Sequence, residues 1–253
     1  MSACKGKLEG KTAVITGGNS GIGLATAKLY KDQGASVIIT ASSDSSYAKA
    51  QSEYGNDFDI IKTDVSNLEE IKELAAKVKK KYGTIDILFA NAGVATFAPL
   101  SEVTNDHFDK HFNTNVKGLL FSVQQFVPII NKGGSVILTT SGMNTKGFPG
   151  ASVYSATKSA VRSIARTLSA ELIPQGIRVN ALSPGPVETP IFGKMGMSEE
   201  EVKGMTEQVQ SMTPIGRFGQ PDELARAALF LGSDDSSFVM GSELVVDGGL
   251  SQL

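Results

Sequence analysis

Short apolar runs rich in β-branched residues alternate along the chain with longer segments in which apolar residues recur at helical spacing. A continuous apolar run is typical of a strand buried on both faces, and strands that alternate with helices indicate βαβ units. The pattern therefore predicts an α/β fold, one doubly wound domain with helices on both faces of a mostly parallel, seven-stranded sheet. The predicted strands cover residues 12–16, 36–40, 58–61, 85–90, 135–140, 177–182 and 243–246.

Helical spacing predicts helices at residues 24–33, 68–82, 106–127, 152–173 and 221–231. The segment 188–214 breaks the pattern, because it mixes four methionines and other apolar residues with charges and glycines. Flexible apolar side chains suit a cover over a substrate pocket, so we interpret this segment as a lid insert. A helical hairpin packed into the core and a subunit contact are the alternatives.

The length of 253 residues, with no internal repeat or linker, predicts a single domain over residues 1–253. The net charge of −2 argues against the basic face that nucleic-acid binding requires. Cys4 is the only cysteine, so an internal disulfide is excluded and a reducing cytoplasm is the predicted localisation. Residues 1–11 lack the apolar stretch of a signal peptide, and no apolar run approaches the roughly 20 residues of a membrane span, so no membrane association is expected.

A glycine-rich turn joins the first strand to the first helix, with Gly17, Gly21 and Gly23 in the spacing Gly-x-x-x-Gly-x-Gly. Glycines let the backbone approach a pyrophosphate, whose charge is favoured at a helix N-terminus. A tight turn without a ligand is the alternative. Because the turn follows the first strand directly, we predict a dinucleotide site.

The residues after the second strand indicate which dinucleotide the protein would bind, NAD(H) or NADP(H). An acid at this point would bind the ribose 2′-hydroxyl of NAD and repel a 2′-phosphate. Here Ser42 and Ser43 follow the strand, and the first acid is Asp44. Their hydroxyls could donate to a phosphate, although the segment contains no Arg or Lys. The sequence therefore favours NADP(H), with NAD(H) as the alternative.

Tyr154 and Lys158 stand four residues apart in a predicted helix, so their side chains lie on one face. An ammonium beside a phenol favours the phenolate and is expected to lower the phenol pKa from about 10. Ser141 ends the preceding strand and could hold a carbonyl oxygen beside the phenol. If the Tyr-x-x-x-Lys spacing stood alone, the alternative would be a partly exposed Tyr beside an ordinary surface Lys. Because Gly17, Asp64 and Asn91 also follow predicted strands, we expect them at the same sheet edge as Ser141.

Two further features lie in the predicted helix 106–127. Asn115 has poor helix propensity, and it indicates either a buried hydrogen bond that shapes the helix or a kink whose carbonyl holds water. His107 and His111 are four residues apart but lack a third metal ligand at suitable spacing, so no metal site is predicted. We interpret both histidines as surface or interface residues.

Together these residues resemble the short-chain dehydrogenase/reductase family in its form of about 250 residues. The motifs are Thr-Gly-x-x-x-Gly-Ile-Gly at 16–23, Asn-Ala-Gly at 91–93, Ser141, Tyr-x-x-x-Lys at 154–158 and Pro-Gly at 184–185. The resemblance covers nearly the whole chain and implies a Rossmann-like domain, similar to that of NADP(H)-dependent carbonyl reductases. In members that prefer NADP, a basic residue often takes the position of Ser20 or Ser42.

The resemblance also implies residue roles. Tyr154 would be the general acid and base, Ser141 would orient the substrate oxygen, and Asn115 would hold a water that relays protons through Lys158. Lys158 would also bind the nicotinamide ribose and lower the Tyr154 pKa. The implied cofactor contacts are Gly17, Asn19, Ser20, Gly21, Ile22, Gly23, Ser42, Ser43, Asp64, Val65, Asn91, Ala92, Gly93, Tyr154, Lys158, Pro184, Gly185, Val187 and Thr189.

The predicted function is hydride transfer between NADP(H) and a small, fairly apolar ketone, aldehyde or secondary alcohol. A 3-oxoacyl carrier-protein reductase and a glucose-type sugar dehydrogenase are alternatives, as is a non-enzymatic dinucleotide sensor. The predicted lid carries more Glu than Lys, which disfavours an acidic carrier protein, and its Met and Phe residues offer few partners for sugar hydroxyls. Family resemblance further implies a homotetramer joined through residues 104–127, residues 152–173 and the last strand.

Overall fold

Seven parallel strands form one sheet in the computed structural model of the chain, which describes residues 6–190 and 199–253. The strand order is β3-β2-β1-β4-β5-β6-β7, and every pairing is parallel. The strands are β1 Thr12–Ile15, β2 Ser36–Ala41, β3 Asp59–Lys62, β4 Ile85–Ala90, β5 Ile130–Thr139, β6 Arg178–Pro184 and β7 Glu243–Val246. The predicted α/β class and the seven strands are confirmed.

Eight α-helices surround the sheet within the described ranges. They are α1 Gly21–Asp32, α2 Asp44–Tyr54, α3 Leu68–Tyr82, α4 Asn105–His111, α5 Leu119–Phe126, α6 Ser152–Leu172, α7 Glu199–Met212 and α8 Pro221–Gly232. None of these helices combines the length and apolar character that crossing a membrane requires.

Each face of the sheet builds its own core, because alternate strand residues point to opposite faces. In β1, Ala13 and Ile15 join a cluster that includes Tyr30 of α1 and Leu224 of α8. Val14 joins the opposite cluster, with side chains from α3, α5 and α6. The strand order reverses between β1 and β4, so the carboxyl ends of these two strands flank the crevice where doubly wound folds bind ligands.

Three elements differ from the sequence prediction. Helix α2 was not predicted, since only Ala50 of its residues is buried and it shows little apolar periodicity. Strand β5 begins at Ile130 rather than Ser135, and a register shift separates its first pairing from the rest. The predicted helix 106–127 is interrupted by a π-helical segment, Phe112–Gly118, between α4 and α5. Within the part of β5 that the sequence predicts, residues 135–138 pair with β4 in regular register.

Candidate active site

The turn between β1 and α1 has glycines where no side chain fits. A Cβ on Gly23 would lie 2.5 Å from the Gly17 carbonyl oxygen and 2.7 Å from Asn91 Nδ2. Gly17 has φ +64° and packs so closely that its Cβ would lie 3.0 Å from Ala92 Cα. The bare backbone therefore leads directly into the N-terminus of α1, where the first N–H groups lack intrahelical acceptors. This cradle fits the pyrophosphate of a dinucleotide.

Asn91 and Ala92 fix the end of β4 against this turn. The Asn91 amide group donates to the carbonyl oxygens of Thr16 and Gly17, at 3.1 and 3.3 Å. The backbone amides of Asn91 and Ala92 both donate to Thr16 Oγ1 at 3.0 Å. The residues of the Thr-Gly and Asn-Ala-Gly motifs thus form one hydrogen-bonded unit across the crevice.

The loop after β6 closes over the other side of the turn. A Cβ on Gly21, which has φ +53°, would lie 3.2 Å from Thr189 Cγ2. Val187 is buried and pairs with Gly219 in an isolated parallel bridge. Gly185 packs against the backbone of Asp247, where its Cβ would lie 2.5 Å from Asp247 Cα. Of the predicted residues of this loop, Thr189 therefore lies against the glycine turn, while Gly185 and Val187 fix the loop to Asp247 and Gly219.

Asp64 and Val65 follow β3 at the same edge of the sheet. Asp64 Oδ1 accepts hydrogen bonds from the amide and the hydroxyl of Ser66, at 2.9 and 2.8 Å. Val65 is buried, and its carbonyl oxygen would lie 2.3 Å from a Cβ on Gly118. The loop is held by the α3 N-terminus and by the π-helical segment.

The end of β2 holds a cation that the linear sequence does not reveal. Ser43 caps α2 by accepting from the Ser46 amide at 3.2 Å, and Ser42 is exposed. Lys62, at the end of β3, is the register partner of Ala41, and its ammonium donates to Asp44 Oδ1 at 2.6 Å. The segment after β2 contains no Arg or Lys of its own, but the neighbouring strand β3 supplies Lys62 beside it.

Ser141, Tyr154 and Lys158 meet where β5 ends and α6 begins. The Ser141 hydroxyl accepts from the Met143 amide at 3.3 Å and lies close enough to the Tyr154 phenol to influence its pKa. Lys158 is buried one helical turn beyond Tyr154, and its ammonium lies 5.7 Å from the centroid of the Tyr154 ring. The ammonium donates to the Thr139 carbonyl at 2.9 Å. Three of the four predicted catalytic side chains thus form one cluster.

The pKa of the Tyr154 phenol differs from expectation. Burial raises the pKa of the phenol above its ordinary value, while the nearby Ser141 hydroxyl acts in the opposite direction. Burial also lowers the Lys158 pKa to about 8. The prediction that Lys158 pulls the phenol pKa down is wrong for this arrangement, because the burial of the phenol outweighs the effects that favour its phenolate.

Asn115 lies fully buried in the π-helical segment. Its Oδ1 accepts from the Val94 amide at 2.8 Å, and its Nδ2 donates to the Val94 carbonyl at 2.9 Å and to Thr157 Oγ1 at 3.2 Å. The buried side-chain hydrogen bond expected as one alternative is therefore present. Because these bonds hold the loop after β4, a Cβ on Gly93 would lie 3.1 Å from Asn115 Oδ1 and 3.6 Å from Lys158 Nζ.

His111 is buried, so its interpretation as a surface residue is wrong. Its Nδ1 lies 2.8 Å from the His107 carbonyl oxygen, which makes Nδ1 the donor and leaves Nε2 to accept from the Thr96 amide at 3.2 Å. Burial lowers the His111 pKa, in keeping with this neutral form. The imidazole also lies edge-on to the Tyr154 ring, with centroids 6.4 Å apart. His111 therefore fixes the loop beside the phenol.

Phe97 follows Thr96 and adds an apolar wall to the cluster. Its ring meets Tyr154 edge-on at a centroid distance of 5.9 Å, yet 37% of the residue is exposed. The role of Phe97 is not evident from the sequence, since a single Phe in a loop carries no periodic signal. A substrate that reaches the Tyr154 phenol from the Phe97 side would meet an aromatic surface.

Four buried side-chain hydroxyls among the described residues have no hydrogen-bond partner in the protein, those of Thr63, Thr139, Ser155 and Ser183. Three of them lie at or next to the carboxyl ends of β3, β5 and β6, and the fourth follows Tyr154. Buried polar atoms normally have partners, so unpartnered hydroxyls at this edge fit the binding of a polar ligand. Within the described ranges, no group of three or more His, Cys, Asp or Glu residues could hold a metal ion.

Known proteins match the chain over almost its full length. The family model described as enoyl-(acyl carrier protein) reductase matches residues 17–251. The short-chain dehydrogenase/reductase of Brucella melitensis, titled a glucose/ribitol dehydrogenase, superimposes with a TM-score of 0.90 at 30% identity, covering 98% of this chain and 100% of that one. The chain belongs to the short-chain dehydrogenase/reductase family. As a short-chain dehydrogenase/reductase it is an NAD(P)-dependent oxidoreductase of a small-molecule substrate.

Two similar relatives show the range of activities within the family. Oxidoreductase asL5 of Sarocladium schorii is 41% identical to this short-chain dehydrogenase/reductase over 255 residues, covering 100% of both chains. The 3-oxoacyl-[acyl-carrier-protein] reductase FabG of Thermotoga maritima is 39% identical, covering 96% of this chain and 99% of that protein. Both relatives are thus oxidoreductases by name, and of the two names only that of the Thermotoga maritima enzyme states a substrate.

Proposed function

We propose that the protein is an NADP(H)-dependent carbonyl reductase that acts on small, fairly apolar ketones or aldehydes and, in reverse, on secondary alcohols. The observation that carries this proposal is the cluster of Ser141, Tyr154 and Lys158 where β5 ends and α6 begins, with the Phe97 ring against the phenol. Two hydroxyls can hold one carbonyl oxygen, and the aromatic wall favours an apolar substituent beside it.

In the reduction, Ser141 donates a hydrogen bond to the carbonyl oxygen and Tyr154 transfers its proton to that oxygen. Burial raises the Tyr154 pKa, so the phenol retains this proton at neutral pH. A bound nicotinamide dinucleotide supplies the hydride. Lys158 would hold the nicotinamide ribose, and the glycine turn would hold the pyrophosphate.

Asn115 would influence the reaction through the backbone. Its side chain is bonded to Val94 and Thr157, so the proposed relay water would bind its main-chain carbonyl instead. We retain that water relay through Lys158 as part of the proposal.

Lys62 supports the preference for NADP(H), because an ammonium beside the end of β2 would pair with a 2′-phosphate. We expect Lys62→Ala to weaken NADPH binding about tenfold, as a lost charge-assisted hydrogen bond predicts, and to leave NADH binding unchanged. Fluorescence titration of both cofactors measures this. Lys49→Ala removes an exposed lysine of α2 and is the matched control. An equal loss for both cofactors, or none for NADPH, would contradict the role of Lys62.

The proposed activity is tested by titrating the protein with NADPH and NADH and then measuring carbonyl-dependent oxidation of the tighter cofactor. The panel contains a simple aryl ketone, an acyl thioester and an aldose, the last tested as sugar oxidation with the oxidised cofactor. Preferred turnover of the aryl ketone is the expected result. Cofactor binding without turnover of any substrate would refute a carbonyl reductase.

A 3-oxoacyl carrier-protein reductase is the second candidate, favoured by the 39% identity to the Thermotoga maritima enzyme. Such a substrate is delivered by an acidic carrier, for which basic residues around the entrance would be suitable. Glu188 and Glu207, on the loop and helix beside the entrance, are both exposed. We therefore place the small apolar carbonyl first, and preferred acyl thioester turnover would reverse the order.

We further propose that the segment 188–214 is a lid. Helix α7 lies within it, and Thr206 of α7 shares a cleft of about 240 Å³ with Glu188, Thr189 and Phe218. Residues 191–198 of the predicted lid lie outside the described residues. A helix that shares a cleft with Thr189 is suited to cover a substrate bound beside the Tyr154 cluster.

The protein is also proposed to form a homotetramer. Exposed apolar side chains occur on α4 and before β7, at Phe108, Phe238 and Met240. Phe108 lies in one of the segments through which the family resemblance implies assembly, and Phe238 and Met240 lie just before another, the last strand. Light scattering at micromolar concentration should give four times the monomer mass of 26.6 kDa, and a monomer mass would contradict the proposal.

A further inference from the structure

We propose that Glu243 of β7 is a positioning residue that holds Ser141 in register with Tyr154. The inference rests on the proposed function, in which the Ser141 hydroxyl orients the substrate oxygen. Glu243 is distant from Ser141 in sequence and belongs to no motif of the sequence analysis. Its carboxylate is nevertheless the point at which β7, the Ser141 turn and α6 meet.

The Glu243 carboxylate binds both sides of Ser141. Its Oε1 accepts from Thr140 Oγ1 at 2.6 Å and from Asn144 Nδ2 at 2.7 Å. Thr140 immediately precedes Ser141, and Asn144 ends the short 3₁₀ turn that Ser141 caps. One carboxylate oxygen therefore ties the residue before Ser141 to the last residue of the turn after it.

The turn itself is built on Ser141. The Met143 amide donates to Ser141 Oγ, and the Asn144 amide donates to the Ser141 carbonyl at 2.9 Å. From the other side, Ser159 of α6 donates its hydroxyl to the Asn144 carbonyl at 3.1 Å. A displacement of Asn144 would therefore be passed to both oxygens of Ser141.

Arg162 connects the same carboxylate to the catalytic helix. Its Nε lies 3.3 Å from Glu243 Oε2, and its Nη1 donates to the Gly241 carbonyl at 2.9 Å. Arg162 follows Tyr154 by eight residues and Lys158 by four, so the three residues lie along one face of α6. The Glu243 and Arg162 side chains are only 12% and 19% exposed, which strengthens their attraction relative to a surface pair.

The carboxylate is the chemical form that this position requires. Its two oxygens face three donors, from Thr140, Asn144 and Arg162, and a carboxylate only accepts. In Glu243→Gln one oxygen becomes an amide donor, so in either orientation a donor faces a donor. The substitution keeps the size of the side chain, leaves at least one of these donors without an acceptor and removes the charge that pairs with Arg162.

We expect Glu243→Gln to lower kcat for carbonyl reduction about 10–10²-fold and to leave the Kd for NADPH within twofold, because a small misplacement near the reacting atoms suffices. Placed in a Ser141→Ala background, the same change should have almost no further effect, since it acts through Ser141. Glu171→Gln, at an exposed site on α6, is the control. Independent, multiplying effects of the two substitutions would overturn the proposal.

Hydrogen exchange gives a readout that does not require turnover. The Met143 and Asn144 amides should lose protection in Glu243→Gln while the amides of the central strands β1 and β4 keep theirs. Unchanged protection, or a loss spread across the sheet, would overturn the positioning role. Failure of the wild type to reduce any carbonyl would instead refute the proposed function, and the exchange result would still decide whether Glu243 holds the turn.

Discussion

Tyr154→Phe is expected to lower kcat for carbonyl reduction by about 10²–10⁴-fold, the contribution of a positioned general acid. The substitution removes only the hydroxyl, and the ring keeps its edge-on contacts with Phe97 and His111. NADPH affinity should fall far less than kcat, because the Tyr154 hydroxyl is only one of many proposed cofactor contacts. Initial rates of NADPH oxidation with the preferred ketone, together with fluorescence titration of NADPH, measure the two quantities. Equal rates in wild type and variant would contradict the assignment of Tyr154.

A pH profile sharpens this prediction. Burial raises the Tyr154 pKa, so the phenol remains protonated through neutral pH and reduction keeps its proton donor there. Alcohol oxidation needs the phenolate, so its rate should rise with pH across the same range. In Tyr154→Phe the oxidation rate should no longer rise with pH, and reduction should lack its proton donor at every pH. Tyr47→Phe, whose ring packs against the core on the α1 face, is the matched control.

Lys158→Met is expected to reduce kcat by roughly 10²-fold or more and to weaken cofactor binding, since it removes the cation proposed to hold the ribose beside Tyr154. The same substitution should stabilise the cofactor-free protein at pH 7. It replaces a buried ammonium, with one hydrogen bond to the Thr139 carbonyl, by an apolar side chain of similar length. A residue that lowers the stability of the protein but is needed for activity is what a functional site is expected to contain.

The stability difference should depend on pH in a defined direction. Burial lowers the Lys158 pKa to about 8 from its ordinary value of 10.5, so the folded chain binds fewer protons than the unfolded chain between these values. The free energy of unfolding of the wild type therefore rises with pH between 8 and 10.5. This contribution to stability is complete above pH 10.5 and is lost as the pH falls through 8. Lys158→Met lacks this contribution, so its advantage should be largest below pH 8 and shrink as pH rises.

Urea unfolding of wild type and Lys158→Met at several pH values between 7 and 10 measures this difference. Lys80→Met, at an exposed position of α3, provides the control. A difference that grows with rising pH would contradict the burial of a charged Lys158. A difference that is constant would show that the Lys158 pKa is not lowered on folding.

The sequence predicted the parts of the fold that local patterns encode. Buried strands appear as continuous apolar runs, and helix α3 was located to its ends because Asn67 caps it and Gly83, with φ +76°, terminates it. Helix α2 carries almost no apolar face and begins with a local serine cap, so its pattern gave no signal. The ends of the strands could also be predicted, because small and polar residues interrupt the apolar runs there.

Features that depend on distant contacts were not predictable. The π-helical segment accompanies hydrogen bonds between Asn115 and Val94, which are 21 residues apart. Lys62 reaches the end of β2 only through strand pairing. The identities of Tyr154 and Lys158 indicated a cation beside a phenol, but the sequence cannot show that the ammonium donates to the Thr139 carbonyl or how deeply the phenol is buried.

The strand order has a consequence for how the protein acquires its cofactor cleft during folding. β1 pairs with β2 nearby in sequence, but it also pairs with β4, so that Ala13 is the register partner of Ile87. Closing so long a loop delays this pairing relative to local helices and βαβ units. The glycine turn and the Asn91 side chain that braces it lie on opposite sides of that seam. The cofactor cleft therefore forms only when β1 pairs with β4, because the strands on either side of that seam each carry only part of it.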